Sequence, residues 1–176
     1  MIGDELDSGD IIEQRYFLLW RSTKIGEVLD WMSKQIPEMF LTAAEKIEAS
    51  TSFVLETQSK DSKDSLRCYP RKPEDGKIDW NETAESILRL INASGPPYSG
   101  AFTFLDSRKI VILDAELVNS EETYCAIPGQ VTKICDKSIE VACGSDKLRV
   151  LTIECNGVIT KPNLAITSIR KRLKSE

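Results

Sequence analysis

Histidine is absent from all 176 residues. The chain therefore lacks the side chain that most often moves protons near neutral pH, which is also the commonest nitrogen ligand for metals. Ser-His and Cys-His nucleophile pairs and mixed Cys/His zinc sets cannot be assembled from it alone. The five cysteines, Cys68, Cys125, Cys135, Cys143 and Cys155, contain no C-x-x-C pair, and their odd number argues against a closed disulfide framework. They read as reduced packing thiols of a cytoplasmic protein, and no metal site is expected. No run approaches the roughly 20 apolar residues that span a bilayer, and no signal peptide opens the chain, so no membrane partner is expected. Positive charge is also scarce. The net charge is −5, with 12 Lys/Arg against 18 Asp/Glu in residues 1–97 and 11 against 10 in residues 98–176. A nucleic-acid binder normally shows a larger basic footprint. The basic run Arg170-Lys171-Arg172-Leu173-Lys174 reads as a solvated tail.

What is present is a patterned chain of one ordinary domain or two small ones. Residues 11–20 are rich in strand formers. After Ser22 and Thr23, apolar residues recur at three- and four-residue steps through Ile25, Val28, Leu29, Met32, Ile36, Met39, Phe40, Ala43 and Ile47. That spacing predicts a helix with one apolar stripe, kinked or divided at Pro37. One strand cannot cover so long a stripe, so a partner surface is expected, either a missing sheet or a second copy in a homodimer. Residues 57–77 are polar and turn-rich, an extended connection. Asp79 and Glu82 have the spacing of a capping box. The following helix carries Ala84, Ile87, Leu88 and Ile91 on one face and stops at Ser94-Gly95-Pro96-Pro97.

Beyond Gly100, strand-length runs at 101–105, 109–118, 123–126, 130–135, 138–142, 147–154 and 164–170 alternate with turn residues. Asp106-Ser107, Pro128-Gly129, Asp136-Lys137, Gly144-Ser145 and Asn156-Gly157 are among them. This pitch predicts a small antiparallel barrel.

Two segments carry a family resemblance. Arg71-Lys72-Pro73-Glu74-Asp75-Gly76-Lys77-Ile78-Asp79-Trp80, followed by Pro96-Pro97-Tyr98-Ser99-Gly100-Ala101-Phe102, resembles the domain-joining segment of folate-dependent formyltransferases. Asp4-Glu5-Leu6-Asp7-Ser8-Gly9-Asp10 resembles the segment in which that family places its catalytic aspartate. Residues 127–134 and 138–144 are similar to its C-terminal, OB-like barrel. The resemblance implies an α+β chain: the strand and helices that end a formyltransferase α/β domain (1–66), a joining segment and helix (67–97), and an OB-like barrel (98–176). It implies that Asp7 is the catalytic aspartate and that Asp4, Glu5 and Leu6 belong to the loop around the pterin ring. The cofactor would be N10-formyltetrahydrofolate.

The family's Asn-x-His pair, which would supply amide and imidazole to the reaction, has no counterpart here. Formyl transfer is therefore expected only when an N-terminal half supplies it. The Pro97–Phe102 segment is more similar to the enzymes that formylate amino sugars on nucleotide carriers, so a sugar nucleotide is the expected acceptor. A methionyl-tRNA formyltransferase fragment and a non-catalytic binding or assembly module are the alternatives. The joining tract itself reads as structural, with Asp79 capping a helix and Trp80 packing.

Overall fold

The computed structural model describes residues 9–49, 55–64, 66, 68–119 and 122–175. Its contacts divide the chain into two units. One comprises Met1–Trp20 with Glu27–Pro70, and the other Arg21–Gly26 with Arg71–Glu176.

In the first unit the apolar periodicity becomes one long helix, α1 (Ile25–Ala49), whose first two residues belong to the second unit. It runs through Pro37 as a single element, where two abutting helices were an alternative. Proline costs one backbone donor there without ending the helix. Residues 13–20, expected as part of a strand, form no ladder. Ile11 makes a backbone bridge to Glu56. A strand is stable only with a partner to hydrogen-bond, and β-forming side chains do not supply one. The segment is attached to α1 by side chains instead. Arg15 Nη1 donates to Gln35 Oε1 at 2.5 Å and to Glu38 Oε2 at 3.0 Å, Lys46 pairs with Glu13, and the Phe17 and Trp31 rings lie 5.3 Å apart. No residue of α1 is buried.

The second unit holds the core. A six-stranded antiparallel sheet is built from β1 (Ala101–Leu105), β2 (Arg108–Leu117), β3 (Val131–Ile134), β4 (Ile139–Ala142), β5 (Lys147–Cys155) and β6 (Val158–Thr160). The strand order is β1-β2-β5-β4-β3, with β6 also on β5. The ends of that order, β1 and β3, do not pair, so the sheet is curled but open rather than a closed barrel. Its tight hairpins follow the turn chemistry. Asp106-Ser107 and Asn156-Gly157 each place two consecutive residues at positive φ, the twist that a two-residue hairpin needs. In β2 the register to β5 slips around Asp114, a bulge that bends the strand and helps curl the sheet.

Helix α2 (Ala84–Ser94) packs on this sheet. Its cap is Thr83, whose hydroxyl accepts from the Ser86 N–H at 3.0 Å. The Asp79–Glu82 capping box is therefore not formed. Asp79 folds back locally and accepts from the backbone and side-chain amides of Asn81. An aspartate followed at two residues by a free N–H makes this turn readily, which moves the helix start four residues on. The predicted stripe does bury: Ala84, Ile87, Leu88 and Ile91 pack with Leu105, Ile110, Ile112 and Ile153. Each leucine or isoleucine side chain so removed from water contributes about 1.5–3 kcal/mol before entropy is counted.

Two predicted strands are absent. Residues 123–126 lie outside the ladders, and residues 164–170 begin in the short helix α3 (Pro162–Ala165), where Pro162 occupies the first helical turn that proline favours. The expected solvated tail is also corrected. Leu173 is 2% exposed, and Lys174 exchanges both backbone hydrogen bonds with Phe104. An apolar residue inside the basic run anchors it to the sheet.

Candidate functional site

Asp7, read as the catalytic aspartate, and Asp4, Glu5 and Leu6, read as the pterin loop, lie outside the described residues. Two features of the second unit carry recognisable chemistry, and both arise around the joining tract.

The first is the way this tract enters the sheet. Ile78 N–H donates to Phe102 C=O at 2.8 Å, and Ile78 and Trp80 are buried to 0% and 2% exposure. Trp80 Nε1 donates to the buried hydroxyl of Thr103 at 2.9 Å, and Thr103 Oγ1 donates in turn to the Lys174 carbonyl at 2.9 Å. A chain of satisfied polar groups therefore runs from the joining tract through β1 to the C-terminal segment. A buried indole N–H left unpaired would be costly, which is why a hydroxyl faces it. Gly129 completes the lock: its N–H donates to Ala142, its carbonyl accepts from Leu173, and a Cβ there would meet Leu173 O at 2.1 Å.

Anchoring the C-terminal segment concentrates cations at one edge of the sheet. Lys171 hydrogen-bonds Asp106 at the tip of the β1–β2 hairpin. This hydrogen bond, with the charges of Lys171, Arg108 and Lys174 behind it, holds the Asp106 carboxyl below its ordinary range. Lys109 Nζ stands 4.0 Å from the Phe102 ring centroid, and Arg172 Nε donates to the Pro128 carbonyl. Arg108, Lys109, Lys171 and Lys174 thus outnumber the acidic group among them. Arg170–Lys174 was visible in the sequence as a basic run. Its convergence with Arg108 and Lys109 required the β1–tail pairing, which no local pattern predicts.

The second feature is a cavity of about 720 Å³ lined by Ile25, Arg71, Lys72, Pro73, Gly76, Ala93, Ser94, Pro97, Tyr98 and Ser99. Seven of these ten residues belong to the two joining-tract motifs. Small residues leave the space, and the backbone is drawn tight behind it: a Cβ on Gly76 would meet Gly100 O at 2.6 Å. Arg71 Nη2 donates to Asp75 C=O and to Ser94 Oγ, both at 3.2 Å. These residues were read as structural from the sequence. The cavity they enclose was missed, because tight turns and a pocket wall use the same Gly, Pro and Ser residues.

Elsewhere, ion pairs tie the sheet and its loops. Arg149 bridges Glu116 and the buried Glu140 at 2.9 Å each, and Lys147 pairs with Glu122. Among the described residues no group of three or more His, Cys, Asp or Glu is arranged to hold a metal ion. No helix among them is long and apolar enough to cross a membrane.

Residues 71–164, which hold the joining tract, α2 and the sheet, match the family described as "Formyl transferase, C-terminal domain". The chain belongs to the formyl transferase family. It is 32% identical over 158 residues to a methionyl-tRNA formyltransferase of Akkermansia muciniphila, covering 87% of this chain and 48% of that protein. It is 34% identical over 99 residues to the bifunctional polymyxin resistance protein ArnA of Wigglesworthia glossinidia brevipalpis, covering 54% of this chain and 14% of that one. Among solved structures, HypX from Aquifex aeolicus in complex with tetrahydrofolic acid superimposes with a TM-score of 0.64. It does so at 17% identity, over 95% of this chain and 29% of that one, a likeness of fold. The chain spans about half the length of the methionyl-tRNA formyltransferases it matches.

Proposed function

We propose that this chain is the C-terminal part of an enzyme that passes a formyl group from N10-formyltetrahydrofolate to the amine of methionyl-tRNA, and that its sheet edge engages the RNA backbone. In this reading residues 1–66 end the catalytic domain and residues 67–97 join it to the sheet domain 98–176. Asp7 orients a histidine supplied by the other half, next to a folate loop that includes Asp4, Glu5 and Leu6. Folate brings the activated one-carbon unit. This chain contributes a carboxylate, the joining tract and the surface that receives the acceptor.

The observation that carries the reading is the cation cluster of Arg108, Lys109, Lys171 and Lys174, set at one edge by the Phe104–Lys174 pairing. The near-neutral charge of residues 98–176 favoured a small acceptor at first sight. Phosphate binding depends on local cation density rather than on the domain's net charge, and this edge supplies that density. The matches to methionyl-tRNA formyltransferases over 86–87% of the chain point the same way. A sugar nucleotide is the second reading, supported by the 34% identity to the polymyxin resistance protein over 99 residues.

The test is fluorescence anisotropy of labelled initiator tRNA with the chain, repeated across salt concentrations. We expect log affinity to fall linearly with log salt, with a slope of roughly 0.7–0.9 per phosphate contacted. Lys171→Gln with Lys174→Gln reduces that slope by about two units. Binding unaffected by both salt and the double substitution sinks the reading.

A further inference from the structure

Residues 171–174 meet both ends of the open strand order at once. Toward β1, Lys174 N–H donates to Phe104 C=O at 2.9 Å, and Phe104 N–H donates to Lys174 C=O at 3.0 Å. Toward β3, Val131 N–H donates to Lys171 C=O at 3.1 Å, and Leu173 N–H donates to Gly129 C=O at 2.8 Å. The bridges Phe104–Lys174 and Gln130–Arg172 are both antiparallel. Two edges that do not pair with each other thus share one short closing strand, which covers backbone groups that would otherwise be left open.

This strand is built to come away by itself. Leu173 is its one buried side chain, while Arg172 and Lys174 are exposed. Ile166 is the last buried residue before it, and the intervening turn at Ile169-Arg170 faces solvent. Undocking breaks the four backbone hydrogen bonds above and empties one core position, but it leaves the six-stranded ladder whole. So few buried contacts mark a segment that opens locally, well before the unit unfolds. Docking also works against charge. It gathers Lys171, Lys174 and Arg108 around Asp106, the only carboxylate that pairs with any of them among the described residues. Like charges drawn together oppose docking until an anion lies among them.

We infer that residues 171–174 are a switchable closing strand whose docking assembles the cation edge, and that an RNA backbone holds the strand docked. The docked strand is the binding-competent state, and undocking disperses the cations without removing one. A polyanion that takes up these cations removes the repulsion that opposes docking. Binding and docking therefore favour each other by the same factor. The inference deepens the reading of this edge as the RNA-binding surface and rests on it for the identity of the anion.

Native-state hydrogen exchange on the full chain tests the strand first without RNA. The Leu173 and Lys174 amides should exchange at a rate that stays nearly constant at low denaturant, whereas the amides of β5 should accelerate steeply. Initiator tRNA at about one hundred times its dissociation constant should then slow the Leu173 and Lys174 amides about a hundredfold, because only the docked chain binds. Leu173→Gln keeps every cation but removes the apolar anchor. It should weaken tRNA binding about tenfold and speed trypsin cleavage after Arg170 and Lys171, while Leu173→Met keeps the parent behaviour. The exchange measurements need no variant, so they decide even where Leu173→Gln unfolds the unit. Leu173 and Lys174 amides that follow the denaturant dependence of β5 show a fixed strand and overturn the inference. Local exchange that bound tRNA leaves unchanged also overturns it, as does a folded Leu173→Gln chain that binds tRNA as tightly as the parent. Each of these results leaves the salt-dependent edge standing. Failure of the edge reading looks different: tRNA binding is absent or insensitive to salt, and the coupling falls with it.

Discussion

Helices α1 and α2 are both amphipathic by sequence, yet α2 buries six of its eleven residues and α1 buries none of its twenty-five. The difference does not lie in helix-forming tendency. α2 has an open sheet to pack on, with Ile87 and Ile91 set among side chains from several strands. In the unit that holds most of α1, the segment read as a strand is held by Arg15, Glu13 and Phe17, and Met32, Ile36, Phe40 and Leu41 remain 39–73% exposed. Periodicity tells which face of a helix wants to be buried. Only tertiary partners decide whether it is, and those partners supply most of a helix's stability in proteins.

The comparison breaks most readily at Trp80. Trp80→Ala removes the largest fully buried side chain and leaves the Thr103 hydroxyl without its indole donor. A loss of about 3–5 kcal/mol is expected in denaturant unfolding of the second unit. Because Thr103 also donates to Lys174, the C-terminal edge should loosen with it, and tRNA affinity should fall in the same variant. A loss under about 1 kcal/mol would show that the core described here does not govern stability.

Cysteine chemistry sharpens the same contrast. Cys143 is 5% exposed, and burial pushes its thiol up to about 12, whereas Cys68 in the first unit is exposed. The raised value means that a proton is retained by the folded state after the unfolded thiol, at about 8.5, has lost its own. The contribution to stability is therefore complete below about pH 8.5 and is lost as pH rises toward the folded value. In alkylation at neutral pH, Cys68 should react promptly. Cys143 should lag by a factor on the order of 10³, reacting only through opening of the second unit. Equal rates would remove the distinction between the units.

Much of the second unit was legible before any coordinates. The α2 stripe, the stop at Gly95 and the turns at Asp106-Ser107 and Asn156-Gly157 depend on local dihedral and spacing rules, and the structure follows them. What could not be read involves distant residues. The basic run 170–174 looked like a tail because its anchor, Leu173, is one apolar residue among cations, and Phe104, which pairs with Lys174, lies 70 positions away. The cavity was hidden because Arg71, Gly76, Pro97 and Tyr98 meet only when two turns close on each other. Trp80 was read as packing and packs, but its hydrogen bond to Thr103 depends on a strand register that residue 80 does not encode. The resemblance located the family through these same motifs, and Asp7 remains a proposal that the described residues do not reach.

The smallest expected effect is the most discriminating. Phe40 is 73% exposed in α1, and serine has nearly the same helix propensity as phenylalanine. Phe40→Ser should change the unfolding free energy of the chain by no more than about 0.5 kcal/mol, as for other surface substitutions. The same change should raise the concentration at which the chain stays monodisperse in sedimentation, because it interrupts an apolar stripe that runs from Met32 to Ile47. If Phe40→Ser instead costs more than about 2 kcal/mol, the stripe is already covered in solution. A concurrent drop in sedimenting mass would identify the cover as a second copy. The contrast between the helices would then belong to the isolated chain rather than to its working form.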